Sequence, residues 1–387
     1  MAAPKLRFKE FDGDWKSKQL GKIIGISSAS RVFKEQWQDS GVPFFRTSDV
    51  VSIFKNKENE KAYISLELFE ELAKKSGKIK QGDLLVTGGG SIGIPYLVPN
   101  DQPLYFKDAD LLWMKSSGIV EGSFLYNFFI SPKFREYLKS ISHTGTISHF
   151  TIEQAKATPF GFPSKEEQTK IASFLSAVDE KISQLTQKHE LLNQYKQGMM
   201  QKLFSQQIRF KADDGSEFGE WEYVFLGDIS KPQQWKTISS SELTEIGYPV
   251  FGANGYIGFY PKYNHINETI VVTCRGATCG EVTLVKAKSY ITGNAMSIDE
   301  INEKEYSTLY IYYALCFRGF KDVISGSAQP QIVGNAIRKV NFQVPCLEEQ
   351  TKIANFLSAI DHKIEVVAQQ IEQAKTWKKG LLQQMFV

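Results

Sequence analysis

The sequence predicts an α+β fold in which two globular domains of mixed short strands and helices are separated by an antiparallel coiled coil of two long helices. Three observations support this prediction. The chain has 387 residues, and a single hydrophobic core rarely grows beyond about 250 to 300 residues. A 17-residue helical segment occurs twice with near identity, which indicates an internal repeat. Each copy follows a longer segment of short β-branched and aromatic runs, which is typical of mixed α and β structure.

Composition narrows the class of protein. Hydrophobic residues make up 42% of the chain and aromatic residues 13%, which excludes a disordered or fibrous chain. Residues 1–11 contain no apolar signal segment, and no run of about 18 apolar residues occurs, so we expect a cytoplasmic protein without a membrane span. The net charge of +3 permits a nucleic-acid surface without requiring one. Four cysteines without a CxxC pair are expected to be reduced thiols: Cys274, Cys279, Cys316 and Cys346.

The first globular domain is predicted over residues 1–163. A proline-started segment occupies residues 43–49 (PFFRTSD). Residues 83–93 (DLLVTGGGSIG) form a β-branched run that ends in glycines, which predicts a hairpin with a close backbone approach. Residues 124–129 (FLYNFF) predict an aromatic helix. Short strands with a few helices indicate an α+β domain.

A central spacer helix is predicted over residues 164–206. Apolar side chains recur in alternating steps of four and three, which is the 3.5-residue period of a coiled-coil seam. The seam covers about 32 steps of about 1.5 Å, so it is about 48 Å long. Ser164 and Glu167 have the spacing of a capping box at the start of the helix. The apolar seam residues are Ile171, Leu175, Val178, Ile182, Leu185, Leu192, Met199 and Leu203.

The second globular domain is predicted over residues 207–345 and repeats the outline of the first. Its proline-started segment is 249–255 (PVFGANG), its glycine-ended strand is 269–280 (TIVVTCRGATCG), and its aromatic helix is 308–313 (TLYIYY). The polar loops differ between the two domains, whereas the helices are nearly copies. This pattern favours recognition of two different targets with one geometry.

A C-terminal spacer helix is predicted over residues 346–387. Residues 348–364 (EEQTKIANFLSAIDHKI) match residues 166–182 (EEQTKIASFLSAVDEKI) at 14 of 17 positions. Two matching helices most simply pair antiparallel and hold the globular domains at opposite ends. His189, Lys196 and Lys378 interrupt the apolar stripes, which we interpret as snorkelling or register control. The apolar seam residues are Ile353, Leu357, Ile360, Ile364, Val367, Ile371, Leu381 and Met385.

Motifs of catalysis are missing from the sequence. It contains no GxxxxGK(S/T) phosphate loop, no HExxH, no GxSxG and no CxxC. The glycine run at 88–90 follows a strand but lacks the lysine of a phosphate loop, and the second domain does not repeat it. The five histidines do not form a metal-binding pattern. We therefore predict neither catalytic nor metal-ligating residues.

The helical repeat resembles a motif of a known family. The motif Glu-Glu-Gln-Thr-Lys-Ile-Ala-X-Phe-Leu-Ser-Ala-X-Asp-X-Lys-Ile follows a proline and leads to Gly-(Met/Leu)-(Met/Leu)-Gln-X-(Leu/Met)-Phe, twice in one chain. In this, the sequence resembles the specificity subunits of type I restriction-modification systems along its whole length. Residues 248–258 (YPVFGANGYIG) and 326–331 (GSAQPQ) fit the resemblance only in pattern.

The resemblance implies a DNA-reading protein without catalytic residues of its own. Each target-recognition domain would bind one half of a bipartite site in double-stranded DNA, and the helices would set the gap between the halves. The helices would also bind two methylation subunits, and restriction subunits would join that complex. S-adenosylmethionine, ATP and Mg would be bound by these partner subunits. An alternative is a coiled-coil adaptor that scaffolds two protein partners without reading DNA, and sequence-specific DNA binding would distinguish the two.

Candidate DNA contacts follow from the chemistry of readout. Arg suits guanine, Asn and Gln suit adenine, and Lys, Ser and Thr suit phosphates. For each residue the alternative is a solvated loop position or a turn former. The candidates are Arg31, Arg46, Thr47, Ser48, Thr87, Ser91 and Thr146 in the first domain, and Lys236, Asn254, Arg275, Thr278, Asn294, Gln329 and Gln331 in the second.

Overall fold

The computed structural model describes residues 3–141, 149–253, 255–326 and 329–387. Packing divides the chain into two compact units. Unit 1 comprises Met1–Thr186 with Gln369–Val387, and unit 2 comprises Gln187–Ala368. Each unit therefore contains one globular part together with a stretch of both long helices.

Unit 1 is built on three small sheets. A four-stranded antiparallel sheet has the order β2-β8-β5-β6, a three-stranded mixed sheet has the order β4-β3-β7, and β1 pairs with β9. The strands are β1 Lys16–Gln19, β2 Gly25–Ser27, β3 Val42–Phe45, β4 Tyr63–Ile64, β5 Leu84–Thr87, β6 Pro95–Leu97, β7 Tyr105–Phe106, β8 Leu111–Lys115 and β9 Pro159–Phe162. The helices are α1 Thr47–Phe54, α2 Leu66–Ser76, α3 Gly122–Ile130, α4 Pro132–Ser140, α5 Ile152–Ala157 and the first part of α6 Lys165–Phe204.

Unit 2 repeats this plan. Its four-stranded sheet has the order β11-β17-β14-β15, its three-stranded sheet the order β13-β12-β16, and β10 pairs with β18. The strands are β10 Glu222–Phe225, β11 Lys231–Gln234, β12 Tyr248–Gly252, β13 Gly255–Tyr260, β14 Thr269–Thr273, β15 Val282–Val285, β16 Tyr290–Ile291, β17 Ala295–Asp299 and β18 Asn341–Val344. The helices are α7 Leu226–Ile229, α8 Thr308–Arg318, α9 Gly334–Arg338, the end of α6 and the first part of α10 Leu347–Met385, whose end belongs to unit 1. The predicted α+β class is confirmed.

The central strands β5 and β14 form where the sequence predicts hairpins. Their β-branched and leucine side chains favour a strand that is buried on both faces. All residues of β5 and of β14 are buried. Each strand pairs with the strand that follows the glycines, β5 with β6 and β14 with β15. The predicted aromatic helices are α3 and α8, and both pack in the main core of their unit.

The two units differ directly after their proline-started strands. In unit 1, β3 leads into α1 and the chain then forms α2. In unit 2, β12 turns back as the hairpin strand β13, and within the described residues no helix stands in the place of α1 and α2. The two proline-started segments are thus similar in sequence, but a helix follows the first and a hairpin strand follows the second.

The predicted pairing of the long helices is confirmed within each unit. In unit 1, the Lys378 ammonium from α10 lies 2.5 and 2.7 Å from the Asp179 carboxylate oxygens of α6. In unit 2, Lys196 Nζ of α6 lies 2.6 Å from Asp361 Oδ1 of α10. The pairs are equivalent, because Asp361 and Lys378 each follow their counterparts by 182 positions. These contacts support the interpretation of the two lysines as register-setting residues.

The seam residues do more than pair the helices. All sixteen are buried or half-buried, but those towards the helix ends enter the cores of the globular parts. The unit 1 core contains Ile171, Leu175, Val178, Leu381, Met385 and Phe386. The unit 2 core contains Leu203, Phe204, Ile353, Leu357 and Ile360. Each core is therefore closed by the beginning of one long helix and the end of the other.

The capping box predicted at the start of α6 is only half present. Ser164 Oγ accepts a hydrogen bond from the Glu167 backbone N–H at 3.4 Å. The Glu167 carboxylate instead bonds the side chains of Arg7 and Trp15. Among the described residues, no helix is long and apolar enough to cross a membrane.

Candidate nucleic-acid interface

The loops that follow β5 and β14 form the centre of the candidate surface. They leave their sheets at equivalent places, since both strands are central and both turn back through glycines. In unit 1, Gly88 lies so close to the Phe150 carbonyl oxygen that an added Cβ would come within 2.9 Å of it. Only glycine fits this approach of two backbone segments.

Thr87 does not belong to the exposed surface. Its side chain is fully buried, its hydroxyl donates to the Ser91 carbonyl, and it accepts from the Ile94 N–H at 2.9 Å. Both hydrogen-bonding roles of the hydroxyl are thus used to shape the loop. The predicted DNA contact of Thr87 is therefore wrong, because the side chain is buried, whereas Ser91 is exposed on the same loop.

Arg46 is also occupied within unit 1. Its Nε lies 2.9 Å from Asp49 Oδ2, it donates to the Glu60 carbonyl, and its guanidinium lies 5.6 Å from the Trp37 ring centroid. The hydrogen bond that Arg46 donates to the Asp49 carboxylate is the main reason that the pKa of Arg46 is raised above its usual value. These contacts fix the start of α1, so the Arg46 guanidinium has a structural role and is not free to form the predicted fork with a base.

The remaining unit 1 candidates are more accessible. Arg31 is exposed, with its guanidinium 5.3 Å from the Phe33 ring centroid. Ser48 is exposed and accepts from Asn59 Nδ2 at 3.2 Å. Thr47 is half-buried and donates to the Asp110 carbonyl at 3.3 Å. Thr146 lies outside the described residues.

In unit 2, several candidates meet beside the end of β14. Arg275 forms an isolated antiparallel bridge with Gln331, and both are exposed. The backbone of Asn294, also exposed, accepts from Cys274 Sγ at 3.2 Å. We call Arg275, Asn294 and Gln331 the β14-end cluster. An arginine fork and two amides at one place provide the donors and acceptors for reading base edges.

Thr278 connects this cluster to the hairpin. Its hydroxyl donates to the Ala253 carbonyl at 2.6 Å, next to the turn between β12 and β13. Asn254 lies outside the described residues. Lys236 and Gln329 are exposed, and the Lys236 carbonyl accepts from the Tyr290 hydroxyl at 3.1 Å.

One exposed group was missed in the sequence. Tyr256 of β13 is 51% exposed on the hairpin beside the turn, where its ring offers a stacking surface. The dipeptide Asn254-Gly255 is a strong hairpin signal and could have drawn attention to Tyr256.

Buried polar groups beneath the unit 2 surface are satisfied. Cys274 is fully buried, and burial raises the pKa of its thiol, in keeping with a structural cysteine. Asp299 accepts from His265 Nε2 at 3.0 Å, Ser297 Oγ at 2.7 Å and Gln233 Nε2 at 2.7 Å. Burial alone would raise the pKa of Asp299, but these hydrogen bonds lower it below its usual value. No group of three or more potential metal ligands occurs in the part of the chain that the structure describes.

Comparison with known proteins agrees with this architecture. The family model for the type I restriction modification DNA specificity domain matches residues 12–194 and 219–376. The putative type I restriction enzyme MjaX specificity subunit of Methanocaldococcus jannaschii is 26% identical over 98% of this chain and 94% of its own length. The EcoprrI specificity subunit of Escherichia coli is 23% identical over 88% of this chain and 86% of its own length.

A solved structure shares the fold. The type I restriction-modification S subunit from M. genitalium superimposes with a TM-score of 0.64, at 18% identity, and the match covers 100% of this chain and 99% of that one. The family model matches each repeat once and most of the chain. The chain therefore belongs to the type I restriction modification DNA specificity domain family.

Proposed function

We propose that this chain is the specificity subunit of a type I restriction-modification complex, in which unit 1 and unit 2 each read one half of a bipartite DNA site. One observation carries the proposal. Two units share the same sheet plan and nearly identical helices, yet they differ where β3 leads into a helix and β12 into a hairpin. A constant frame with two different recognition surfaces suits a site with two different halves.

DNA contacts are assigned to the candidates whose side chains are exposed or half-buried. In unit 2 the β14-end cluster and Gln329 would contact base edges, with Lys236 and Thr278 beside them for phosphates. In unit 1 Arg31 would contact base edges, with Thr47, Ser48 and Ser91 for phosphates. Asn254 and Thr146 stay predictions.

Catalysis would belong to the partner subunits. Two methylation subunits, with S-adenosylmethionine, would dock on the paired helices, and restriction subunits would supply ATP- and Mg-dependent cleavage. The chain would contribute recognition and spacing, and no catalytic residue. A bent or opened duplex is expected, because a base is methylated only after it leaves the stack.

Exchange of residues 207–345 for the same segment of a relative should change one half of the recognised sequence. The chain is co-expressed with a methylation subunit with which it assembles, and methylated adenines are mapped across the genome by single-molecule sequencing. We expect a split motif whose other half and gap stay unchanged. An assembled complex that binds S-adenosylmethionine but yields no motif would favour the adaptor function instead.

Replacement of Arg275 by alanine should relax recognition in one half-site only. A bidentate arginine contributes about 1 to 3 kcal/mol to base discrimination, so discrimination at one base pair should fall roughly 5- to 150-fold. Methylation rates on oligonucleotides with single substitutions measure the effect, and Arg31→Ala is the matched variant for the other half-site. Equal weakening on all sequences would instead place Arg275 on a phosphate.

A further inference from the structure

Two glutamates at the starts of the long helices are buried. Glu167 is 1% exposed and Glu349 is fully buried. They occupy the same position in the repeated motif. A buried carboxylate is costly unless it is paired and hydrogen-bonded. Both carboxylates have such partners.

In unit 1, the Glu167 carboxylate accepts three hydrogen bonds from two side chains. Arg7 Nε lies 2.8 Å from Oε1, and an Arg7 terminal nitrogen lies 2.7 Å from Oε2. The Trp15 indole donates to Oε1 at 3.3 Å. The same Arg7 nitrogen also donates to the Gly13 carbonyl at 2.6 Å. A bidentate arginine with a fixed indole allows one orientation of the carboxylate.

Unit 2 repeats these contacts. Arg209 Nε lies 3.1 Å from Glu349 Oε1, and an Arg209 terminal nitrogen lies 2.7 Å from Oε2. The Trp221 indole donates to Oε2 at 3.1 Å, and Arg209 donates to the Gly219 carbonyl at 2.7 Å. Eight positions separate the arginine from the tryptophan in unit 1, and twelve do so in unit 2. The geometry is thus kept although the chain between the two donors differs in length.

The next residue of the motif, Gln168, also fixes the helix start in unit 1. Gln168 is 1% exposed. Its amide nitrogen donates to the Pro163 carbonyl at 3.1 Å and the Ile119 carbonyl at 3.0 Å. Its amide oxygen accepts from the Glu121 N–H at 2.9 Å, at the N-cap of α3.

Gln350 makes the same three contacts in unit 2. It donates to the Pro345 carbonyl at 2.9 Å and the Glu305 carbonyl at 3.1 Å, and it accepts from the Ser307 N–H at 2.8 Å, at the N-cap of α8. Each long helix is consequently fixed to the segment before β1 or β10 and to the start of the aromatic helix. We call the Glu, Arg and Trp side chains of each unit its latch.

The latch lies at the start of a long helix, so a small change of angle there gives a large displacement at the far end. At the far end of a seam about 48 Å long, a tilt of about 4° displaces a helix sideways by about 3.4 Å. This displacement is perpendicular to the seam and is similar in size to one base-pair step of B-DNA. A base pair added to the gap also turns a half-site around the duplex axis, because one helical turn takes about 10 base pairs. A helix with sideways freedom would therefore let its unit follow a half-site that is displaced and turned, and the preference for one gap would weaken.

We propose that Glu167 with Arg7 and Trp15, and Glu349 with Arg209 and Trp221, are positioning residues that fix the direction of each spacer helix and so set the discrimination between gap lengths. The inference rests on the proposed function, because a gap exists only if the DNA site is bipartite. The latch touches neither DNA nor a reacting atom. Its effect should appear in the spacing of the half-sites and not in their sequences.

The test uses the chain in complex with its methylation subunit. Glu167→Gln and Glu349→Gln keep the shape of the side chain and remove its charge. Methylation rates are measured on oligonucleotides with the native gap and with gaps one base pair shorter and longer. We expect the preference for the native gap to fall about tenfold, as for a lost hydrogen bond to a charged group, with unchanged base discrimination inside each half-site. Glu166→Gln is the matched control, because Glu166 is exposed in the same turn.

Two outcomes would overturn the inference. One is a folded Glu167→Gln complex with the gap preference of the native protein. The other is an equal loss of rate at all gaps, which a merely destabilised unit would give. If Glu167→Gln does not fold, the same rates are measured with Trp15→Phe. This variant removes one N–H donor to Glu167 and should lower the gap preference about threefold. A native complex that recognises no bipartite site would instead contradict the proposed function, so the two failures are distinguishable.

Discussion

Replacement of Leu357 by aspartate is expected to unfold unit 2. Leu357 is fully buried and packs in the core that contains Trp221 and Tyr310. An unpaired carboxylate there would cost more than about 4 kcal/mol, a large part of the roughly 5 to 15 kcal/mol that stabilises a typical domain. In the sequence, Leu357 is recognisable only as a seam residue of the coiled coil, for which damage to helix pairing would be expected. The structure places Leu357 between the helix and its globular part, so we expect the globular part to melt as well.

Thermal unfolding and limited proteolysis of the purified variant measure the loss. Asn355→Asp is the matched control, because it adds the same charge two residues earlier at an exposed position. The control should unfold within about 2 °C of the native chain, since exposed substitutions usually change stability by less than about 0.5 kcal/mol. A Leu357→Asp chain that melts together with the control would contradict the assignment of Leu357 to the core.

Replacement of Phe386 by alanine is expected to destabilise unit 1. In the sequence, Phe386 lies about 260 positions from some of the residues that it contacts. Phe386 is 5% exposed, and its ring centroid lies 5.0 Å from that of Phe124 and 6.5 Å from that of Phe128 in α3. Phenylalanine-to-alanine changes in cores cost about 3 to 5 kcal/mol. Hydrogen exchange should become much faster in the backbone amides of α3.

Two matched variants test the position of this effect. Trp377→Ala removes a larger ring that is 53% exposed and should leave the exchange of α3 nearly unchanged. Phe204→Ala removes the equivalent ring of unit 2, which lies 5.6 Å from the Tyr310 ring, and should accelerate exchange in α8. Unchanged protection of α3 in the Phe386 variant would show that the helix end is not part of the unit 1 core.

The sequence predicted the long helices and the core elements of each unit more successfully than the candidate DNA contacts. The long helices and their pairing were recognisable because Ile171, Leu175 and their counterparts keep one period over nearly five heptads. The hairpins and aromatic helices were predicted from local patterns that need no distant partner. By contrast, α1 and the β12–β13 hairpin follow similar proline-started segments, so their difference depends on packing.

Errors at the candidate site have the same origin. Thr87 and Arg46 are residue types that commonly contact DNA, and their sequence neighbourhood does not reveal that one is buried and the other bound to Asp49. Glu167 has the spacing of a capping residue, but its partner Arg7 is 160 positions away. No local pattern reveals such a distant pair, but the arginine and tryptophan repeated near the start of both globular domains could have suggested a shared role.

The closure of each core by two helix ends also governs the order of events during synthesis. The strands of unit 1 emerge from the ribosome first, but Leu381, Met385 and Phe386 complete their core. At about 5 to 20 residues per second, the intervening stretch of about 220 residues takes roughly 10 to 40 s to translate. During that interval the aromatic side chains of α3 lack their final cover. The nascent protein thus passes through a state with exposed apolar surface, for which chaperone binding offers protection against aggregation.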